Sequence, residues 1–257
     1  MNGTHDARRR FLSRAMGAAG TLLVAGCERL SRSEWFPKVL GAGETASAAV
    51  ARAVTSRKSM AQEFAESERS PTFRSNGTAA PDSDTYRGLA AGGFAEYRLE
   101  VGGLVAQPAR FSLAELRALP NRTQITRHDC VEGWSAIAKW KGARLAAVLE
   151  AVRPKPEARF VVFYCADPMG EEGADLYYES IDLEDAYHPQ TVLAYEMNDA
   201  ALPIANGAPL RLRVERQLGY KHAKYVMRIE LVESFAQIAG GKGGYWEDRG
   251  YQWFAGI

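Results

Sequence analysis

The sequence predicts an α+β (mixed α/β) fold rather than a doubly wound parallel sheet, on three observations. Residues 159–165, RFVVFYC, form a near-continuous apolar run of strand length, the pattern of a strand covered on both faces. Strand-like runs at 192–197, 210–215 and 225–232 are mixed with helical segments without a regular βα alternation. No Gly-x-Gly-x-x-Gly opens a helix, which argues against a dinucleotide site.

Taken in order, the chain begins with an export signal. Arg8, Arg9 and Arg10 lead into Phe11 and Leu12, and a short run of small residues, Ala15–Gly26, follows. The pattern is that of twin-arginine export, and Val24-Ala25-Gly26-Cys27 has the form of a lipoprotein cleavage site that would leave Cys27 acylated. The competing reading is a signal anchor with a chance cysteine. Residues 28–70 read as a tether and a peripheral helix, with helical propensity over Ala46–Phe64 but no strong apolar face. The polar stretch Ser70–Asp84 is an irregular loop, ordinarily a surface linker.

The main domain, residues 71–257, opens its regular structure at Tyr97, where Tyr97, Leu99 and Val101 alternate with Arg98 and Glu100 as a half-buried strand. Ser112 and Glu115 form a capping box for a short helix over Leu113–Leu119, stopped by Pro120. Leu145, Val148, Leu149 and Val152 recur at helical spacing before Pro154 and Pro156. An acidic loop is expected over Ala166–Asp175.

Composition limits the function. A chain of 257 residues, 46% hydrophobic and 25% charged, can bury one substantial core, and a net charge of +1 gives no nucleic-acid footprint. Three cysteines, Cys27, Cys130 and Cys165, are too few for a disulfide scaffold and have no Cys-x-x-Cys spacing. Cys165, inside the apolar run, reads as a small hydrophobe. Cys130 differs: it lies in TRHDCVEGWSAIAKW, after His128 and Asp129 and before Glu132, Gly133 and Trp134. On its own that setting suits a nucleophile, a metal ligand or a core thiol.

The run CVEGW around Cys130, then NGAPLR at 206–211 and GYKHAK at 219–224, resembles the molybdopterin-binding domain of the sulfite oxidase superfamily. The CVEGWS form is similar to the bacterial periplasmic methionine sulfoxide reductase branch. The resemblance implies a sulfite oxidase-type fold and a Mo-molybdopterin cofactor, with Cys130 as the molybdenum ligand. A soft thiolate suits such a metal. By the same resemblance Asn206, Arg211, His222, Ala223 and Lys224 hold the pterin and its phosphate, a role that fits a planar guanidinium and a point charge. FRSNGT at 73–78 resembles the segment that wraps the pterin, which implies Arg74 and Asn76, and Asp167 stands where the family places a polar residue on the cofactor.

The expected activity is oxygen-atom transfer coupled to two electrons, with S-oxide reduction as the first direction. Sulfite oxidation, for which Arg127 is the obvious nearby arginine, and a non-catalytic exported lipoprotein acting as a scaffold are the alternatives. The resemblance further implies a small-molecule substrate, an S-oxide or similar oxyanion, and a haem-bearing membrane subunit as electron partner. The chain is expected to be a periplasmic monomer, without the second, dimerising domain of sulfite oxidases. The aromatic tail at 240–257 either closes the core or folds over the pocket mouth.

Overall fold

The computed structural model describes residues 59–170 and 175–257, together with scattered positions between 33 and 50. The expected export signal and Cys27 lie outside the described residues, as does most of the expected peripheral helix. By compactness the chain divides into Met1–Ser56 and Arg57–Ile257, and the second unit carries everything that follows. Within it, residues 59–64 are extended rather than helical. Glu63 bridges to Thr126 and the Phe64 amide donates to the Ile125 carbonyl at 2.9 Å, so main-chain pairing with a strand prevails over local helical propensity. Among the described residues no helix is long and apolar enough to cross a membrane.

Among the described residues this unit holds two five-stranded sheets. The first has the order β2-β1-β10-β5-β6, from β1 (Arg98–Gly103), β2 (Ala109–Ser112), β5 (Phe160–Met169), β6 (Asp175–Asp182) and β10 (Val226–Val232). Its β1–β10 pair is parallel and the others antiparallel, in keeping with the expected fold that is not a doubly wound parallel sheet. The second has the order β3-β4-β7-β8, from β3 (Asn121–Cys130), β4 (Trp134–Arg144), β7 (Val192–Met197) and β8 (Ala200–Ala201), with β9 (Arg211–Arg213) pairing antiparallel to β7. Helix α1 (Asp84–Ala91) is capped by Ser83, whose side chain accepts from the Tyr86 amide. Helix α2 (Leu113–Ala118) has the Ser112–Glu115 capping box as expected.

Helix α3 (Leu145–Val152) buries Leu145, Val148, Leu149 and Val152 in the main core beside Val161, Phe163 and Ile229. It ends at Arg153, which adopts the left-handed conformation, one residue before Pro154. Helix α4 (Leu183–Ala186) is one turn capped by Asp182. The predicted strands at 192–197, 210–215 and 225–232 appear as β7, β9 and β10. One boundary differs: β5 does not stop at Cys165 but continues to Met169 through a register shift between Tyr164 and Pro168. Asp167 therefore sits in an irregularity of a strand rather than in a loop, and it is buried.

Candidate active site

Strand β3 alternates as the pleat requires, but the face it buries is polar: Gln124, Thr126 and His128 are each about 1% exposed, and Cys130 ends the same row. The chain then turns at Gly133, with φ +82°, and the Gly133 amide donates to the Cys130 carbonyl at 3.0 Å. Strand β9 brings Arg211 and Arg213 up beside this face, both fully buried. Their guanidinium groups flank the Trp140 ring, at 5.5 and 4.4 Å from its centroid.

Partners fix the two histidines. Arg213, which can only donate, bonds to His128 Nδ1 at 3.0 Å, so the His128 proton stands on Nε2. His222 Nε2 donates to the Gln217 carbonyl at 3.0 Å, leaving Nδ1 as an acceptor. Among the described residues His128 Nε2 and His222 Nδ1 are buried without a close hydrogen-bond partner, with the Val214 backbone near the His222 ring. Burial, then nearby charges that include Arg211 and Arg213, holds both imidazoles well below the usual histidine range, so they are neutral. Gly219 is required here: a Cβ would lie 2.5 Å from the His128 ring.

The segment 73–78 is tied to this centre rather than being a free linker. Asn76 Oδ1 accepts from Arg211 at 3.3 Å, and the Asn76 and Thr78 carbonyls accept from Lys224 Nζ. Arg211 also donates to the Asn206 carbonyl at 3.0 Å. Phe73 packs on Trp140 and Trp134, and exposed Arg74 lies over Trp134 at 5.8 Å. The Thr78 hydroxyl donates to the Pro168 carbonyl at 3.1 Å, next to Asp167.

Four of these residues line one cavity of about 220 Å3 with Cys130: Asn76, Asp167, His222 and Lys224. Arg211 and Asn206 stand behind that wall, bonded to each other and, through Arg211, to Asn76. Ala223 contributes its buried backbone, whose carbonyl accepts from the Leu212 amide at 2.8 Å. Burial pushes the Lys224 ammonium down to about 8, against the pull of Asp167, and pushes the Asp167 carboxyl up. Burial and neighbouring Arg213 take Arg211 down to about 9, still charged at neutral pH. Burial raises the Cys130 thiol, while a hydrogen bond from the Glu132 backbone and the charges of Arg211 and Arg74 oppose it.

Sequence reasoning missed Tyr177, while the aromatic tail, one of whose expected roles was to cover the pocket mouth, supplies Trp246 and Tyr251. Tyr177, Trp246 and Tyr251 complete the cavity wall, and the last two stack on each other at 5.3 Å. The tail thus does both things considered for it, because Trp253 packs on Phe160 and Phe235 while Trp246 and Tyr251 reach the cavity. Arg127 does not join the site: it points from the opposite face of β3, bonded to Asp129. Only the alternation of β3 could have signalled that.

A family model described as oxidoreductase molybdopterin binding domain matches residues 89–237. The chain belongs to this family. It is a molybdopterin-binding oxidoreductase of the sulfite oxidase superfamily. A protein of Azospira oryzae named "Putative protein-methionine-sulfoxide reductase subunit YedZ1" is 38% identical over 97% of this chain and 88% of that protein. The protein-methionine-sulfoxide reductase catalytic subunit MsrP of Ralstonia nicotianae is 31% identical over 89% of this chain and 69% of its own length. MsrP of Xanthomonas axonopodis pv. citri is 36% identical over 56% of this chain and 47% of its own.

The residues fit the family's cofactor. Among the described residues Asp167 Oδ1, Asn206 Nδ2, Arg211 Nε and His222 Nδ1, with His128 Nε2 behind them, are buried polar atoms without partners, gathered on and behind one cavity wall. Buried polar atoms are normally paired, so such a cluster marks a site built for a polar ligand. Among the described residues no group of three or more His, Cys, Asp or Glu is placed to hold a metal, so a metal on Cys130 would draw its other ligands from outside the chain.

Proposed function

We propose that this protein reduces S-oxides, with Cys130 as the thiolate ligand of molybdenum and with Arg74, Asn76, Asp167, Asn206, Arg211, His222, Ala223 and Lys224 holding the pterin. Bound molybdenum–molybdopterin supplies two-electron oxygen-atom transfer. The reaction is balanced by two electrons and two protons per S-oxide: the S–O bond breaks, the sulfide is released and the oxygen leaves as water.

The chain's own groups have definite tasks. Lys224 and Arg211 bring positive charge to an anionic cofactor in a place where burial makes that charge costly without an anion. His222, held as an Nδ1 acceptor, and the Asp167 carboxyl would accept from N–H donors of the pterin. Trp246, Tyr251 and Tyr177 shape the mouth and exclude water around the substrate. The substrate class we favour is methionine sulfoxide within proteins, in line with the names of the relatives. Electrons would come from a haem-bearing membrane partner, and the N-terminal sequence supports export to the periplasm with Cys27 as a lipid anchor.

The observation that carries this reading is that Cys130 opens on the same cavity as Lys224, His222, Asp167 and Asn76. Sulfite oxidation is the weaker reading: of the described side chains lining the cavity Lys224 alone is cationic, and Arg127 faces away. The test is turnover of molybdenum-loaded protein in two assays, methionine sulfoxide with reduced viologen and sulfite with ferricyanide. Turnover is expected in the first. Turnover in the second alone would reverse the assignment.

A further inference from the structure

Beside the Cys130 cavity lies a second hollow, of about 750 Å3, for which the proposed chemistry has no use. The start of β6 and the turn at 245–251 build both. Tyr177 lies in the wall of each; along the turn Tyr245, Asp248 and Arg249 line the hollow, while Trp246 and Tyr251 line the cavity. The hollow is walled by Tyr164, Tyr178, Tyr245 and Ile238, with Leu176 at its rim, 60% exposed. Its charges are already engaged: Arg249 pairs with Asp175 at 2.9 Å, and Asp248 accepts from the Tyr178 hydroxyl at 2.5 Å and from the Gly240 and Lys242 amides. What it offers a ligand is therefore apolar contact.

It also offers a strand edge. Strand β6 is the outermost strand of its sheet, and the tail covers its later part, through the Tyr245 amide on the Tyr178 carbonyl and a bridge between Glu179 and Gly244. Among the described residues no strand pairs with Asp175–Tyr177 on that side. An open edge binds an extended chain through main-chain hydrogen bonds, whatever its sequence, and an apolar recess beside it takes a side chain.

We infer that this hollow seats the polypeptide that carries the S-oxide: an extended segment adds to the edge at Asp175–Tyr177, sets an apolar side chain against Leu176, Tyr178 and Tyr245, and delivers its methionine sulfoxide past Tyr177 into the Cys130 cavity. This rests on the S-oxide reductase reading. A small free S-oxide reaches the cavity without the hollow.

The test compares wild-type, Leu176→Asp and Leu176→Ser holoenzymes, with reduced viologen as donor, on dimethyl sulfoxide and on an unstructured peptide with a central methionine sulfoxide. Leu176 is exposed, so neither change should unfold the chain. For Leu176→Asp the KM for the peptide should rise about tenfold, the scale of one lost apolar contact plus a misplaced charge, and less for Leu176→Ser. Both variants should keep the wild-type kcat and KM for dimethyl sulfoxide, and N-methylating the peptide's flanking amides should raise its KM with the wild-type enzyme. Unchanged peptide kinetics in both variants, or an equal rise for both substrates, would overturn the hollow as the peptide's seat. A variant that slows only electron entry from a haem partner would give the hollow to that partner instead. If the wild-type enzyme reduces neither substrate, the S-oxide reading fails and the peptide seat with it.

Discussion

Lys221 and Lys224 lie three residues apart in one segment, are equally hidden from solvent, and have opposite surroundings. Lys221 donates to Glu179 and, at 2.5 Å, to Glu247, with all three side chains at most 1% exposed. That cluster ties β6, the 219–224 segment and the tail together from within the protein, with Glu247 Oε2 its single atom lacking a partner among the described residues. Lys224 donates to the Asn76 and Thr78 carbonyls and stands beside Asp167, at a wall on and behind which one atom each of Asp167, Asn206, Arg211 and His222 lacks a partner among the described residues. Buried charge whose partners are internal serves the fold. Buried charge among unpartnered polar atoms waits for a ligand.

The comparison can be broken most forcefully at Lys221. Lys221→Met leaves two buried carboxylates without their cation, and should destabilise the protein by about 3–5 kcal/mol, read by denaturant unfolding. A loss below about 1 kcal/mol would mean that the cluster is not structural.

Lys224 should respond in another direction. Its folded value, about 8, lies below its ordinary 10.5, so the folded chain gives up the proton first as pH rises. The burial penalty, about 3 kcal/mol, is fully present below pH 8 and is relieved as pH climbs towards 10.5. Cofactor-free wild-type protein should therefore gain stability over that window relative to Lys224→Met, as measured by unfolding midpoints at a series of pH values. Parallel pH profiles would show that Lys224 carries no such penalty.

Gly219→Ala sharpens the same contrast on the ligand side. Its Cβ would press on His128, which should cost about 1–3 kcal/mol as overpacking does and weaken cofactor retention as the wall shifts. Retention is read as molybdenum content after dialysis.

Much of this was legible in the sequence. The Ser112–Glu115 box, the helix ending before Pro154 and the strand at 159–165 follow from local chemistry, which the fold did not override. The three motifs placed Cys130, Asn206, Arg211, His222 and Lys224 in one neighbourhood. What was hidden depended on long-range geometry. The polar inner face of β3 reads as a solvent face until Arg211, Arg213 and Trp140 are seen against it. Glu179 and Glu247 are 68 positions apart and look like ordinary surface acids until Lys221 joins them. Asp167 looked like a loop residue because a register shift in a strand leaves no mark in composition.

The central claim is that the unpartnered wall around Cys130 is completed by a molybdenum cofactor held through one sulfur. Wild-type protein and Cys130→Ser, produced side by side with molybdate, should have the same unfolding midpoint when stripped of cofactor. As purified, the first should contain close to one molybdenum per chain and the second almost none. Stoichiometric molybdenum in Cys130→Ser, with full S-oxide turnover, would contradict the account.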